Sequence, residues 1–74
     1  MTEDTVPGMA EAVAARMDEL AISPGEFAQE AELSRTALAK VRAGERRRYT
    51  VKTIRGVAGA LDWPGDWYQR LVDP

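Results

Sequence analysis

Ser23-Pro24-Gly25-Glu26-Phe27-Ala28-Gln29-Glu30-Ala31-Glu32-Leu33-Ser34-Arg35-Thr36-Ala37-Leu38-Ala39-Lys40-Val41-Arg42-Ala43-Gly44 is the stretch that decides the fold. It reads as two short helices with almost nothing between them. Ser23 can cap the first, and Pro24 suits its first helical position. Glu26 stands three residues after the cap, where a capping box needs it. Phe27, Ala28 and Ala31 form the buried side. Ser34 is the next cap, its hydroxyl available to a free backbone N–H two or three residues on. Ala37, Leu38 and Val41 share one face of the helix that follows. Gly44 supplies the left-handed residue with which helices often end. Only Glu32-Leu33-Ser34 separates the two helices. Helices joined by so short a turn cross steeply, which is the helix-turn-helix arrangement.

Toward the N-terminus, Met9, Val13, Met17 and Leu20 recur at helical spacing and form one apolar stripe on a helix of about three turns. Toward the C-terminus, Thr50 can cap a fourth helix carrying Val51, Ile54, Val57, Ala58 and Leu61. Gly56 and Gly59 inside it cost up to about 1 kcal/mol each relative to Ala, and they suggest close helix packing. Asp62-Trp63-Pro64-Gly65 breaks the chain. A last short helix over about 65–72 presents Trp67, Tyr68 and Leu71, with Asp62 and Asp66 read as caps at its start. There is no strand-like alternation and no internal repeat. The expectation is an all-α protein: a compact bundle of about five short helices over residues 7–74, behind a flexible tail of residues 1–6.

The chain has 74 residues, no cysteine and no histidine. Disulfides and the usual zinc sites are thereby excluded, so packing alone must hold so small a domain. The acidic start Met1-Thr2-Glu3-Asp4 does not read as a signal peptide. No window approaches the roughly 18 apolar residues of a membrane span. With no phosphate-binding glycine loop and no carboxylate pair backed by an acid–base partner, the expectation is a binding protein and not an enzyme. No cofactor, metal or small-molecule ligand is expected, and the place is the cytoplasm, with the nucleoid when the protein is bound to DNA.

The net charge of −2 conceals a strong asymmetry. Residues 1–34 carry eight acids against one base (Arg16), a net of −7. Residues 35–55 carry eight bases against one acid (Glu45), a net of +7. A phosphate lattice responds to the local field, so the basic centre outweighs the total. In a helix-turn-helix the second helix enters the major groove by its N-terminal end. With Leu38 and Val41 turned inward, Ser34, Arg35, Thr36, Ala39 and Lys40 point outward from a recognition helix over about 34–43. Arg35 and Lys40 can donate to guanine O6 and N7, and Thr36 can meet a base edge or a thymine methyl. Arg46, Arg47 and Arg48, in a charged loop over 45–49, suit phosphate or an adjacent minor groove. Lys52 and Arg55 are further phosphate candidates. Tyr49 reads equally as a DNA contact or as packing. Trp63, Trp67 and Tyr68 read as core closure or a dimer surface.

Four segments carry a resemblance: Pro24-Gly25-Glu26-Phe27-Ala28, Leu33-Ser34-Arg35-Thr36-Ala37-Leu38, Gly44-Glu45-Arg46-Arg47-Arg48 and Gly59-Ala60-Leu61. In this order and spacing they make residues 13–72 resemble the lambda-repressor-like, Cro/C1-type (XRE) helix-turn-helix family. Ala60-Leu61-Asp62-Trp63-Pro64-Gly65 is similar to a stretch in small actinobacterial and actinophage members. The resemblance implies that Ser34, Arg35, Thr36 and Lys40 contact bases or nearby phosphates, and that the loop after Gly44 contacts the DNA backbone. The chain departs from the family in three places. Glu32 stands where the turn usually has glycine. Pro24 stands where a phosphate-binding glutamine is common. Arg42 occupies a glutamate position whose usual partner is an arginine in the first helix, near Asp18 and Glu19 here. A sign-reversed bridge would make Arg42, Asp18 and Glu19 structural.

The functional expectation is a sequence-specific double-stranded DNA-binding transcriptional regulator, a phage-type repressor being one form. A homodimer through the C-terminal helix would suit palindromic half-sites. The alternative is a protein-interaction module on the same fold, such as an antitoxin or a phage factor binding a host protein. The basic segment 35–55 argues against the alternative.

Overall fold

The computed structural model describes residues 5–73, and these form an all-α bundle of five helices. They are α1 (Met9–Leu20), α2 (Pro24–Ala31), α3 (Arg35–Arg42), α4 (Val51–Leu61) and α5 (Trp67–Val72). The start signals act locally, as their chemistry requires. Ser23 Oγ accepts the Glu26 N–H at 3.1 Å while the Glu26 carboxylate accepts the Ser23 N–H at 2.8 Å, a complete capping box. Ser34 Oγ accepts from the Ala37 N–H, and Thr50 Oγ1 from the Thr53 N–H, each at 3.1 Å.

The helix ends are closed by left-handed residues. Gly44, with φ of 70°, follows α3, and the N–H groups of Gly44 and Glu45 bond the Val41 and Lys40 carbonyls. The same closure ends α1, α2 and α4, but there the left-handed residues are Ala21, Glu32 and Asp62. In each case the next residue is apolar (Ile22, Leu33, Trp63) and packs against the core. Burial of that neighbour offsets the backbone strain of a side chain at positive φ. Asp62 is therefore a helix end, contrary to its reading as a cap at a helix start. Asp66 precedes α5 without a side-chain capping bond.

Phe27, Met9, Leu61, Val13, Val41 and Val57 are the largest fully buried side chains, and Met17, Ala31 and Trp67 join them. Trp67 is held twice, by burial and by Nε1–H donation to the Ile54 carbonyl at 2.8 Å. The closest packing is between α2 and α4, where a Cβ on Gly56 would overlap the Ala31 carbonyl. Nothing crowds Gly59, which is exposed. The suggestion of close packing thus holds for the first glycine and fails for the second.

Two further corrections concern residues near the N-terminus. The tail was expected to run to residue 6; residues 1–4 lie outside the described residues, but Val6 is 2 % exposed and belongs to the core. Its N–H bonds the Gly44 carbonyl at 2.8 Å, and Thr5 makes an isolated antiparallel bridge with Glu45. The expected bridge from Arg42 to Asp18 or Glu19 does not form. Arg42 is exposed, and among the described residues Glu19 pairs with Arg16 instead, at 2.9 Å. Arg16 is the structural arginine: its Nε–H donates to the Leu61 carbonyl at 2.8 Å and its other arm lies 3.8 Å from Asp62. It ties α1 to the end of α4.

The two glycines of α4 predict opposite outcomes in thermal or chemical denaturation. Gly56→Ala lowers stability by about 1–3 kcal/mol through overpacking against Ala31. Gly59→Ala raises it by up to about 1 kcal/mol, because helix propensity improves in open space. Glu32→Gly, which relieves the positive φ, raises stability by about 1 kcal/mol.

Candidate nucleic-acid interface

The two capped helix starts, of α3 and α4, border one groove of about 200 Å³. Ser34, Thr36, Ala37 and Lys40 form one wall. Arg47, Arg48 and Tyr49 from the connecting loop, with Thr50 and Thr53 of α4, form the rest. Both helices present the positive end of their dipole here, so partial charges and full charges share one sign. Arg35, Thr36 and Ala39 are exposed on the outer surface of α3, while Val41 is fully buried on the other. Ser34 spends its acceptor on the cap, which leaves its hydroxyl proton free to donate.

The other predicted phosphate contacts lie elsewhere. Lys52 and Arg55 line a separate hollow with Glu30, Glu32, Val51 and Gly56. There Lys52 stands 3.9 Å from the Glu32 carboxylate, both side chains largely exposed. Such a pair is worth little in energy, but with Glu30 and Glu32 facing Lys52 and Arg55 the hollow carries no net formal charge. Arg46 is exposed and lines neither hollow.

The loop between α3 and α4 is shaped by tyrosines. The Tyr49 hydroxyl donates to the Glu45 carbonyl at 2.8 Å, with the Lys40 carbonyl next at 3.3 Å. Both its hydroxyl and its ring, which lies edge-on to Tyr68, are taken up by packing within the fold. Arg47 is exposed but tied to its own loop: its guanidinium lies 3.4 Å from Glu45 and 5.8 Å from the centre of the Tyr49 ring. Arg35, Lys40, Arg42, Arg46, Arg48 and Arg55 have no ion pair among the described residues. Of these, Lys40 and Arg48 line the groove itself.

Three contributors had little or no sequence signal. Thr53 accepts a hydrogen bond from the Thr50 hydroxyl at 3.0 Å and reaches the groove; its spacing from Thr50 was the available hint. Tyr68 grips the Arg47 backbone from α5. Arg42 remains an exposed cation. The C-terminal surface suggested for dimerisation is reduced, since Trp67 is buried. What stays open there is a shallow apolar groove lined by Ala12, Trp63, Pro64, Trp67, Arg70 and Leu71. No helix among the described residues is long and apolar enough to cross a membrane.

No family model, curated protein or solved structure matches this chain.

Burial, and secondarily the nearby Tyr68 and Glu45, push the Tyr49 phenol up from 10.0 to about 12, against a smaller opposing effect of Arg47. The folded state therefore prefers the neutral phenol, and its stabilising contribution is complete below pH 10 and lost between pH 10 and about 12. Tyr49→Phe is expected to be less stable than wild type at neutral pH by about 1 kcal/mol. Urea denaturation as a function of pH should show that gap narrowing as pH rises through this window.

Proposed function

We propose that this protein binds double-stranded DNA sequence-specifically and acts as a transcriptional regulator. In this reading α2, the Glu32–Ser34 turn and α3 work as a helix-turn-helix, with α3 in the major groove. The observation that carries it is the groove in which Ser34, Thr36 and Lys40 of α3 meet Arg47, Arg48 and the start of α4. A helix with its side chains is about 10–12 Å across, which fits a major groove about 12 Å wide. Arg35 and Thr36, exposed at the leading end of α3, are the base readers, with Lys40 and the Ser34 hydroxyl beside them. Arg48 and Arg46 neutralise phosphates, joined by the dipoles of α3 and α4. Arg47 contributes less as a free charge because Glu45 already holds it. Lys52 and Arg55 form a weaker outlying contact, with Glu30 and Glu32 opposing them.

The resemblance to the lambda-repressor-like family supports the same placement, and a repressor acting at the nucleoid is its simplest form. The protein is then a binder, not a catalyst. The competing reading, a protein-interaction module, draws on the apolar groove between α1 and α5, whose open area is small.

The test is a titration with duplexes from the protein's own gene neighbourhood at several salt concentrations. Affinity should fall steeply as salt rises. Arg48→Ala should weaken all sequences alike and lower the salt slope by about 1, whereas Arg35→Ala should relax base preference at one position, costing about 1–3 kcal/mol. Absence of binding to any duplex at low salt would refute the proposal.

A further inference from the structure

The stretch Glu45-Arg46-Arg47-Arg48 places three cations side by side in a loop with few backbone hydrogen bonds of its own. Mutual repulsion favours many loop conformations over one. Tyr49 holds the start of the loop at the Glu45 carbonyl, and one side chain opposes the repulsion at its centre. The Tyr68 hydroxyl accepts the Arg47 N–H at 3.1 Å and donates to the Arg47 carbonyl at 2.7 Å. It thereby grips the two successive peptide planes that flank Arg47, which no other side chain does among the described residues. Tyr68 is itself fixed. Its ring packs edge-on against Tyr49 at 5.1 Å and against Trp67 at 5.6 Å, and Trp67 is bonded to the Ile54 carbonyl of α4. The loop is thus anchored through α5 to the core.

We propose that Tyr68 is a positioning residue for DNA binding, holding the basic loop in its binding conformation before the duplex arrives. The proposal rests on the DNA-binding reading above. Tyr68 need not touch DNA. Its hydroxyl removes an ordering cost that binding would otherwise carry. Removing that hydroxyl leaves every charge in place, so the effect differs from the loss of an arginine.

The experiment compares wild type and Tyr68→Phe. The probe is a mixed-sequence duplex about three helical turns long, titrated from about 50 to 200 mM salt. Amide exchange of Arg46, Arg47 and Arg48 is followed by NMR in the free proteins. In wild type the Arg47 amide should be protected and its two neighbours not. In Tyr68→Phe that protection should vanish, and affinity should fall about three- to tenfold at every salt concentration with an unchanged salt slope. Equal affinity of the two proteins overturns the proposal, as does a reduced salt slope, which would mean a lost charge contact. An Arg47 amide as unprotected as its neighbours in wild type also overturns it, and needs no variant to fold. A wild type that binds no duplex sinks the DNA-binding reading itself, and the positioning role with it; a wild type that binds, with Tyr68→Phe binding equally, overturns the positioning role alone.

Discussion

The contact on which the structure depends is the one between the Ala31 carbonyl and the bare Cα of Gly56. There α2 and α4 meet backbone to backbone, with no side chain as spacer. Ala31 is the last residue of α2, and α3 begins four residues later. Gly56 lies five residues after Val51, where α4 starts. Locking these two points together fixes where α3 and α4 begin relative to each other. The basic groove exists because those two starts are neighbours. Core side chains can repack around small changes, but a backbone-to-backbone contact has no such freedom.

Charge follows the same logic of placement. The acids of α1 and α2 and the bases of α3 and the following loop are separated along the chain, and few pairs cancel across the fold. Those that do are informative. Arg16 is taken up by Glu19, Asp62 and the Leu61 carbonyl, so the one base of the acidic segment serves structure. Glu45, the one acid of the basic segment, holds Arg47. Each of these two exceptions to the segregation thus has a local task, and it leaves most of the remaining cations without an ion pair among the described residues.

Helix starts and stripes were readable because they depend on neighbours three or four residues apart. Ser23 with Glu26, Ser34, Thr50 and Gly44 all act within one turn. The left-handed Glu32 was marked only by the resemblance, as the residue standing where the turn usually has glycine. The contacts that escaped sequence reading join distant positions through backbone atoms. Arg16 meets a carbonyl 45 residues away, and Tyr68 meets one 21 residues away. A backbone carbonyl has no residue identity, so it leaves no trace in the sequence. Val6 escaped for a related reason: a single apolar residue before Pro7-Gly8 shows no periodicity, although the Gly44 carbonyl holds its N–H. The Arg42 bridge failed differently. It was carried over from the family's pairing, and here Glu19 already has a partner on its own helix.

The bond between Val6 and Gly44, together with the Thr5–Glu45 bridge, has a practical meaning for anyone handling this protein. The chain enters the fold beside the very loop that carries the three consecutive arginines. A bulky label placed on the exposed Thr5 therefore sits next to that loop and competes for the space around it. A label joined after α5 is tethered instead to the helix that braces the loop from behind. The choice between these two labelling positions is therefore a choice about which side of the basic loop to encumber.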